Sequence, residues 1–256
     1  MKICRFSLEN QKSWGVLKDD LIYPFENLDF ESSFSDITNP NIFIKKKKVD
    51  FLLPVTPSKI VCVGRNYAEH AAELGNAVPK EPLLFLKAPS SLITDGDAIV
   101  IPKQSNQVEH EGELAIVISH TCKNLTENDN PFDYIFGYTC LNDVTARDLQ
   151  RNDVQFTRAK SFDTFCPIGA SIETQLDVSD IRVTTKVNGV IKQDGQTSQM
   201  VFSVPFLVRY ISNQMTLIAG DIIATGTPSG VSKLENGDIC EVEIEGIGTL
   251  QNPVKF

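Results

Sequence analysis

The stretch that most constrains this chain is residues 107–119, QVEHEGELAIVIS, because it sets two carboxylates at the start of the most apolar run in the sequence. Side chains two positions apart on a strand point to the same side, so Glu111 and Glu113 are predicted to converge. The run that follows, 114–118, predicts a strand buried on both faces. Burying two unpaired anions is costly, so we expect a divalent cation between them. The alternative is that the pair lies on the solvated end of an edge strand.

The overall charge and the lack of targeting patterns narrow the class of protein. A formal net charge of −9 disfavours nucleic acid as a main partner, because such partners need a basic face. The one basic run, 45–48, is predicted to be a solvated edge. No signal-peptide pattern follows Met1 and no run reaches about 18 apolar residues, so the sequence predicts a cytosolic protein without membrane association. The six cysteines are widely spaced and are predicted to be reduced and buried.

The proline-rich segment PVTP, residues 54–57, predicts a linker, because each proline restricts its own backbone and that of its neighbour. We therefore predict a small N-terminal β domain over residues 1–53, with a hairpin turn at Asp19–Asp20. The main domain is predicted over residues 54–256. Its many short strand-like runs and few helical ones predict a β-rich α+β fold.

Local patterns add further predictions within the main domain. Asn66 is predicted to cap a helix that Gly75 ends. The pair Asn188–Gly189 predicts a hairpin turn. Pro205 fits the helix predicted over residues 201–215 only in its first turn.

A third acid, Asp143, stands at the end of another strand-like run and is predicted to join Glu111 and Glu113 if the two strands are neighbours. The three carboxylates form an oxygen-only ligand set, which suits Mg²⁺, with Mn²⁺ or Ca²⁺ as substitutes. The alternative for Asp143 is that it caps a helix starting at Val144.

Two further sets of residues are candidates for a catalytic role. His70 and Glu73 lie three apart on the first predicted helix, a spacing at which the carboxylate raises the basicity of the imidazole, as a general base needs. An exposed pair without a catalytic role has the same spacing. Lys160 is predicted to be partly buried and to need an anion, either a substrate oxygen or the carboxylate of Asp163.

Thr227 lies in TGTPSG, residues 225–230, where backbone N–H groups and its hydroxyl would suit an anionic group, although a plain turn has the same sequence. The other two histidines are weaker candidates for a catalytic role than His70. His110 is predicted on the strand face opposite the acids, and His120 in a polar turn.

Taken together, these residues resemble the fumarylacetoacetate hydrolase family, and most closely its acylpyruvate-hydrolase-like branch. The resemblance runs from about residue 59 to the C-terminus. The segments that carry it are GRNYAEHAAE (64–73), EPLLFLK (81–87), HEGELAIVI (110–118), NDVTARDLQ (142–150), RAKSFDTFCPIG (158–169), KVNGVIKQDGQTSQM (186–200) and GDIIATGTPSGV (220–231).

The resemblance implies a role for each candidate residue and a fold for the chain. It implies a mixed β-roll of packed sheets and a homodimer. The implied divalent-metal ligands are Glu111, Glu113 and Asp143, the implied dyad is His70 and Glu73 on a lid helix, the implied substrate-holding lysine is Lys160, and the implied substrate-binding residues are Arg65, Gln150 and Thr227.

The activity implied by the resemblance is Mg²⁺-dependent hydrolysis of a carbon–carbon bond in an acylpyruvate or a related 2,4-diketo acid. The substrate partner is then a small α-keto acid. Two alternatives stay open: decarboxylation or enol–keto tautomerisation of oxaloacetate at the same site, and a non-catalytic protein that only binds the metal.

Overall fold

The structure, a computed structural model, describes residues 1–25, 27–28, 30 and 42–256. Short strands dominate these residues, and the helices are few and short. The strands are β1 (Lys2–Leu8), β2 (Gln11–Lys18), β3 (Leu21–Phe25), β4 (Ile44–Lys45), β5 (Asp50–Leu52), β6 (Ile60–Gly64), β7 (Leu83–Lys87), β8 (Leu92–Ile93), β9 (Ile99–Val100), β10 (Val108–Glu109), β11 (Gly112–Ile118), β12 (Ile135–Asn142), β13 (Thr145–Ala146), β14 (Cys166–Pro167), β15 (Ser171–Glu173), β16 (Arg182–Val187), β17 (Val190–Gln196), β18 (Ile222–Ala224), β19 (Ile239–Ile244) and β20 (Gly248–Lys255). The α-helices are α1 (Ala68–Glu73), α2 (Arg147–Asn152), α3 (Thr157–Lys160) and α4 (Val204–Ser212). Short 3₁₀ helices lie at Lys46–Lys48, Pro89–Ser91, Pro131–Tyr134 and Thr197–Gln199.

Two large mixed sheets form the body of the molecule. The larger one has the order β4-β3-β2-β1-β15-β12-β11-β18-β6-β7, with β5 on β1, and the second has the order β17-β16-β19-β20-β9. Most neighbours are antiparallel, but β18–β6 and β20–β9 are parallel. The predicted β-rich α+β fold with packed mixed sheets is therefore confirmed.

Strand β11 occupies the centre of the larger sheet, between β12 and β18. Alternate side chains enter two different cores: Leu114 and Ile116 pack towards β16, β19 and α4, whereas Ala115 and Val117 pack towards β1 and β6. This confirms the prediction of a strand buried on both faces, and it explains the unbroken apolar run. At Gly112 a Cβ would lie 2.1 Å from the Thr185 hydroxyl oxygen, so only glycine permits this approach of the second sheet.

The N-terminal strands continue the larger sheet, because β1 pairs antiparallel with β15. Asp19–Asp20 forms the predicted two-residue turn between β2 and β3, and the basic run 45–48 is exposed, as predicted. Residues 26, 29 and 31–41 of the predicted N-terminal domain lie outside the described residues. The division at residue 53 stays a prediction.

Several local predictions are confirmed. Asn188–Gly189 joins β16 to β17, Pro205 lies in the first turn of α4, and Gly75 adopts a left-handed conformation just after α1. All six cysteines are buried and unpaired. No helix among the described residues is long and apolar enough to span a membrane.

The two predicted helix caps are wrong. The Asn66 side chain bonds the carbonyls of Thr225 and Phe202 instead, and α1 starts two residues later without a side-chain cap. Asp143 does not cap a helix at Val144, because residues 145–146 pair as β13 with β10 and delay the start of α2 to Arg147.

Candidate metal and substrate site

The three predicted acids converge at the N-terminal end of β11. Gly112 pairs with Asn142, so the strand pairing brings Asp143, which follows β12, beside Glu111. The Asp143 amide donates to the Glu111 carbonyl at 2.8 Å. Carboxylate oxygens of Glu111, Glu113 and Asp143 lie within 4.8 Å of one another, and none of the three residues is more than 4% exposed. The alternative of a solvated edge is therefore wrong.

Lys160 lies between two of these carboxylates. Its ammonium donates to Glu111 Oε2 and to Asp143 Oδ2, each at 2.7 Å, and not to Asp163 as the alternative had it. Burial disfavours the charge on Lys160, but the two carboxylates outweigh it and raise its pKa. For Glu111, burial alone would raise the pKa, because it also disfavours the charged carboxylate. The neighbouring charges of Lys160 and Arg147 outweigh burial and hold the pKa of Glu111 well below its ordinary value.

Glu113 has the opposite electrostatic environment. Burial, together with the neighbouring Asp143 and Glu111 carboxylates, raises its pKa well above the ordinary value. Its main hydrogen-bond donor is the backbone amide of Gly226, at 2.8 Å from Oε2. Glu113 therefore holds a proton more readily than Glu111 does.

Sequence reasoning missed two basic residues that complete the cluster. The Lys87 ammonium donates to Asp143 Oδ1 at 2.6 Å and to the Val144 carbonyl at 3.2 Å, fully buried behind the site. Arg147 donates to Glu109 Oε2 at 2.7 Å and also contacts Glu111. Both lie inside segments quoted above, EPLLFLK and NDVTARDLQ, and a charged residue at the end of an otherwise apolar strand was the available signal for Lys87.

A cavity of about 460 Å³ opens onto the three carboxylates. Its wall contains every predicted site residue. These are Arg65, His70, Glu73, Glu111, Glu113, Asp143, Gln150, Lys160 and Thr227. The apolar part of the wall includes Leu83, Phe85 and Phe156.

His70 and Glu73 form a loose pair on α1. The distance from His70 Nδ1 to Glu73 Oε2 is 3.4 Å, and the imidazole is buried while the carboxylate is about a third exposed. The Gly230 amide donates to both Glu73 oxygens, at 3.1 and 3.2 Å. The pair is thus not freely exposed, and the turn that follows β18 fixes its carboxylate.

The turn at residues 225–230 already binds a carboxyl group of the chain itself, because its Gly226 amide donates to Glu113. The Thr227 hydroxyl donates to the Gly112 carbonyl at 2.8 Å and accepts from Gln193 at 2.7 Å. Thr227 therefore lines the cavity from a fixed position.

The other two histidines do not line the cavity. His110 is fully buried, 3.1 Å from Gln193 and 2.8 Å from Ser232, and burial lowers its pKa to about 4. His120 contacts the Ser119 hydroxyl and the ring of Tyr134. Both positions agree with the sequence analysis, which treated His110 and His120 as weaker catalytic candidates than His70.

The donor set fits a hard divalent cation. Three buried carboxylates supply only oxygen ligands, and no thiol or imidazole belongs to the group. Among the described residues this is the one group of three such side chains close enough to share an ion.

Comparison with known proteins agrees with this geometry. The fumarylacetoacetate hydrolase C-terminal family matches residues 59–255. An uncharacterized protein of Archaeoglobus fulgidus is 54% identical over 80% of this chain and 81% of its own length. The oxaloacetate tautomerase YisK of Bacillus subtilis is 40% identical over 82% of this chain and 74% of its own.

Solved structures extend the likeness to the whole fold. A 5-carboxymethyl-2-hydroxymuconate delta-isomerase from Mycobacterium smegmatis is 38% identical with a TM-score of 0.89, covering 100% of this chain and 99% of that one. A fumarylpyruvate hydrolase from Pseudomonas aeruginosa, in complex with Mn²⁺ and pyruvate, is 29% identical with a TM-score of 0.74, covering 81% and 92%. The chain belongs to the fumarylacetoacetate hydrolase family.

Proposed function

We propose that this chain is a divalent-metal-dependent enzyme that cleaves a carbon–carbon bond in acylpyruvates or related 2,4-diketo acids. The observation that carries the proposal is the convergence of three buried carboxylates in a cavity that also contains a histidine–glutamate pair and a buried lysine. The Mn²⁺ and pyruvate bound by the related fumarylpyruvate hydrolase support this choice of metal class and substrate head.

Each residue then has a defined task. Glu111, Glu113 and Asp143 would hold Mg²⁺, with Mn²⁺ or Ca²⁺ as substitutes, and the bound cation would act as a Lewis acid towards the keto-acid oxygens. His70, oriented by Glu73, takes a proton from the water that attacks the acyl carbonyl.

The remaining wall residues bind and orient the substrate. Lys160 offsets the negative charge that develops as the bond breaks, and Thr227 and Gln150 orient the acid group. Arg65 also contacts the substrate. Helix α1 closes over the cavity and excludes bulk water, and the products are pyruvate and a carboxylic acid.

A second candidate function is oxaloacetate tautomerisation, which the 40% identity to an oxaloacetate tautomerase favours. Decarboxylation of oxaloacetate would use the same site. Either reaction requires binding of the same α-keto-acid head, and neither requires an attacking water. His70 would matter less to these reactions than to hydrolysis, because no water has to be deprotonated.

One set of assays on purified protein with Mg²⁺ separates these functions. Acetylpyruvate cleavage, oxaloacetate decarboxylation and enol–keto exchange are measured for the wild type, His70→Ala and the control His120→Ala. We expect hydrolysis that EDTA abolishes, that Mg²⁺ restores and that only His70→Ala removes. A high rate of another reaction without hydrolysis rejects the first function and supports the second. A melting temperature that responds to metal without any turnover identifies a non-catalytic binding protein.

The cytosolic location and the homodimer stay predictions. Light scattering coupled to size-exclusion chromatography tests the dimer, and a monomer at micromolar concentration would contradict it.

A further inference from the structure

Gln193 is a fully buried residue of the second sheet that lies behind the site. It belongs to β17 and is not among the residues that line the cavity. A glutamine amide has two N–H donors and an oxygen with two acceptor positions. In Gln193 all four are used, and they connect two segments that come from different parts of the chain.

The oxygen of this amide holds the start of β11. Gln193 Oε1 accepts from the Gly112 amide at 2.9 Å and lies 3.1 Å from His110 Nδ1. Because a carbonyl oxygen only accepts, His110 Nδ1 must carry the proton, and Nε2 of the same ring then accepts from the Ser232 hydroxyl at 2.8 Å. Gly112 stands between the two glutamates of the metal group, so its bond to Gln193 fixes the backbone from which both project.

The nitrogen of the same amide holds the turn at residues 225–230. Gln193 Nε2 donates to the Thr227 hydroxyl oxygen and to the Pro228 carbonyl, each at 2.7 Å. With the amide reversed, its oxygen would face the Pro228 carbonyl and its NH₂ group would face the Gly112 N–H. Only one orientation therefore forms all four bonds, and it joins the turn to β11.

The turn held by Gln193 itself binds a metal ligand. The Gly226 amide donates to Glu113 Oε2 at 2.8 Å. The turn also packs tightly against β17, because a Cβ on Gly230 would lie 2.0 Å from the Lys192 carbonyl oxygen. The separation between the turn and β11 thus determines where the Glu113 carboxyl group stands.

We propose that Gln193 is a positioning residue, which sets the affinity of the three acids for a divalent cation by holding β11 and the turn at a fixed separation. Among the described residues its amide bonds no carboxylate, so it acts only through the backbone of Gly112 and through the turn. This inference rests on the metal site of the proposed function, and it does not depend on which reaction the enzyme catalyses.

Substitutions at this position separate filling the space from making the connection. Methionine has nearly the length and volume of glutamine, but it forms none of the four hydrogen bonds. Asparagine keeps the amide, but it is one methylene shorter and cannot reach both segments. Glutamate has the right length, yet it has no donor for the Pro228 carbonyl and would bury a charge. Gln193→Met is therefore the main variant, and Gln193→Asn is the second.

The experiment measures the dissociation constant of Mn²⁺ by calorimetry on the full chain. We expect Gln193→Met to weaken Mn²⁺ binding about tenfold, since loss of groups that orient metal ligands typically has an effect of this size. The matched control is Thr197→Val, directly after β17. The buried Thr197 hydroxyl accepts from the Ile181 amide at 2.9 Å and donates to the Val178 carbonyl at 2.7 Å. Its loss should lower the melting temperature and leave the Mn²⁺ affinity unchanged.

The comparison distinguishes a positioning role from a purely structural one. Weaker Mn²⁺ binding in Gln193→Met, with wild-type affinity in Thr197→Val, supports the proposal. Wild-type affinity in Gln193→Met, or an equal loss in both variants, overturns it and leaves the proposed function standing. If Gln193→Met does not fold, Gln193→Asn is compared in the same way and has the same two outcomes. A wild type that binds no Mn²⁺ overturns the proposed function, and the role of Gln193 with it.

Discussion

Replacing Lys87 by methionine tests whether the basic residues behind the acids balance their charge. Lys87 and Asp143 are each about 1% exposed, and their charged atoms lie 2.6 Å apart. Methionine keeps most of the side-chain volume and removes the charge. The variant therefore leaves Asp143 buried with Lys160 as its remaining cationic partner.

The structure sets the size of the effect. At an effective dielectric constant of about 20, opposite charges at this distance attract by roughly 6 kcal/mol. Lys160 retains part of that attraction, and breaking a buried ion pair typically costs about 3–5 kcal/mol. For a chain of this size, each kcal/mol lowers the melting temperature by about 2–4 °C, so Lys87→Met should lower it by roughly 6–20 °C.

Metal binding should reduce this deficit, because a cation on the three carboxylates supplies the charge that Lys87 no longer provides. The thermodynamic cycle then requires the variant to bind Mn²⁺ more tightly than the wild type. Circular-dichroism melts in EDTA and in Mg²⁺, with Mn²⁺ calorimetry, measure both effects. The exposed control Lys186→Met should be neutral. An unchanged melting temperature in EDTA, or an equal deficit with and without metal, would refute the reasoning.

Three further predictions concern groups around the site. His110 has a pKa of about 4 rather than 6.5, so it contributes up to about 3 kcal/mol of stability that is present above pH 6.5 and lost as the pH falls to 4. The free energy of unfolding in urea should therefore fall less steeply between pH 6.5 and 4 for His110→Gln than for the wild type. Glu109→Gln frees Arg147 to compete for the metal ligands and should weaken Mn²⁺ binding about tenfold by calorimetry, and unchanged affinity would contradict this. Gly230→Ala places a Cβ 2.0 Å from a backbone carbonyl and should lower the kcat of hydrolysis, whereas Gly237→Ala, also at positive φ but in open space, should not; equal kcat values would count against the role of the turn.

Sequence periodicity predicted the centre of the site because that part depends on local geometry. The two-residue spacing of Glu111 and Glu113 and the apolar run after them determine the strand, its burial and the side to which the acids point. Asp143 joined them because β11 and β12 are consecutive antiparallel partners.

The residues that sequence reasoning missed are defined by distant contacts. Lys87 ends an apolar strand and has the sequence pattern of a solvated end, but its partner lies 56 residues away. Asn66 precedes a helix like a cap, yet carbonyls 136 and 159 residues away take its side chain. A short sequence segment, such as one used to recognise a helix cap or a strand end, never contains both partners of these bonds. Local patterns therefore favour a nearer partner, which is wrong.

The charge count of the buried cluster links its parts. Four buried acids, Glu109, Glu111, Glu113 and Asp143, face three buried bases, Lys87, Arg147 and Lys160. Burial, together with the neighbouring Asp143 and Glu111 carboxylates, raises the pKa of Glu113. A divalent cation binds the carboxylate form of Glu113, and the raised pKa makes that form harder to reach, so metal binding should strengthen as the pH rises. With a divalent cation bound, the cluster would carry one excess positive charge, which the carboxylate of the proposed α-keto-acid substrate would neutralise.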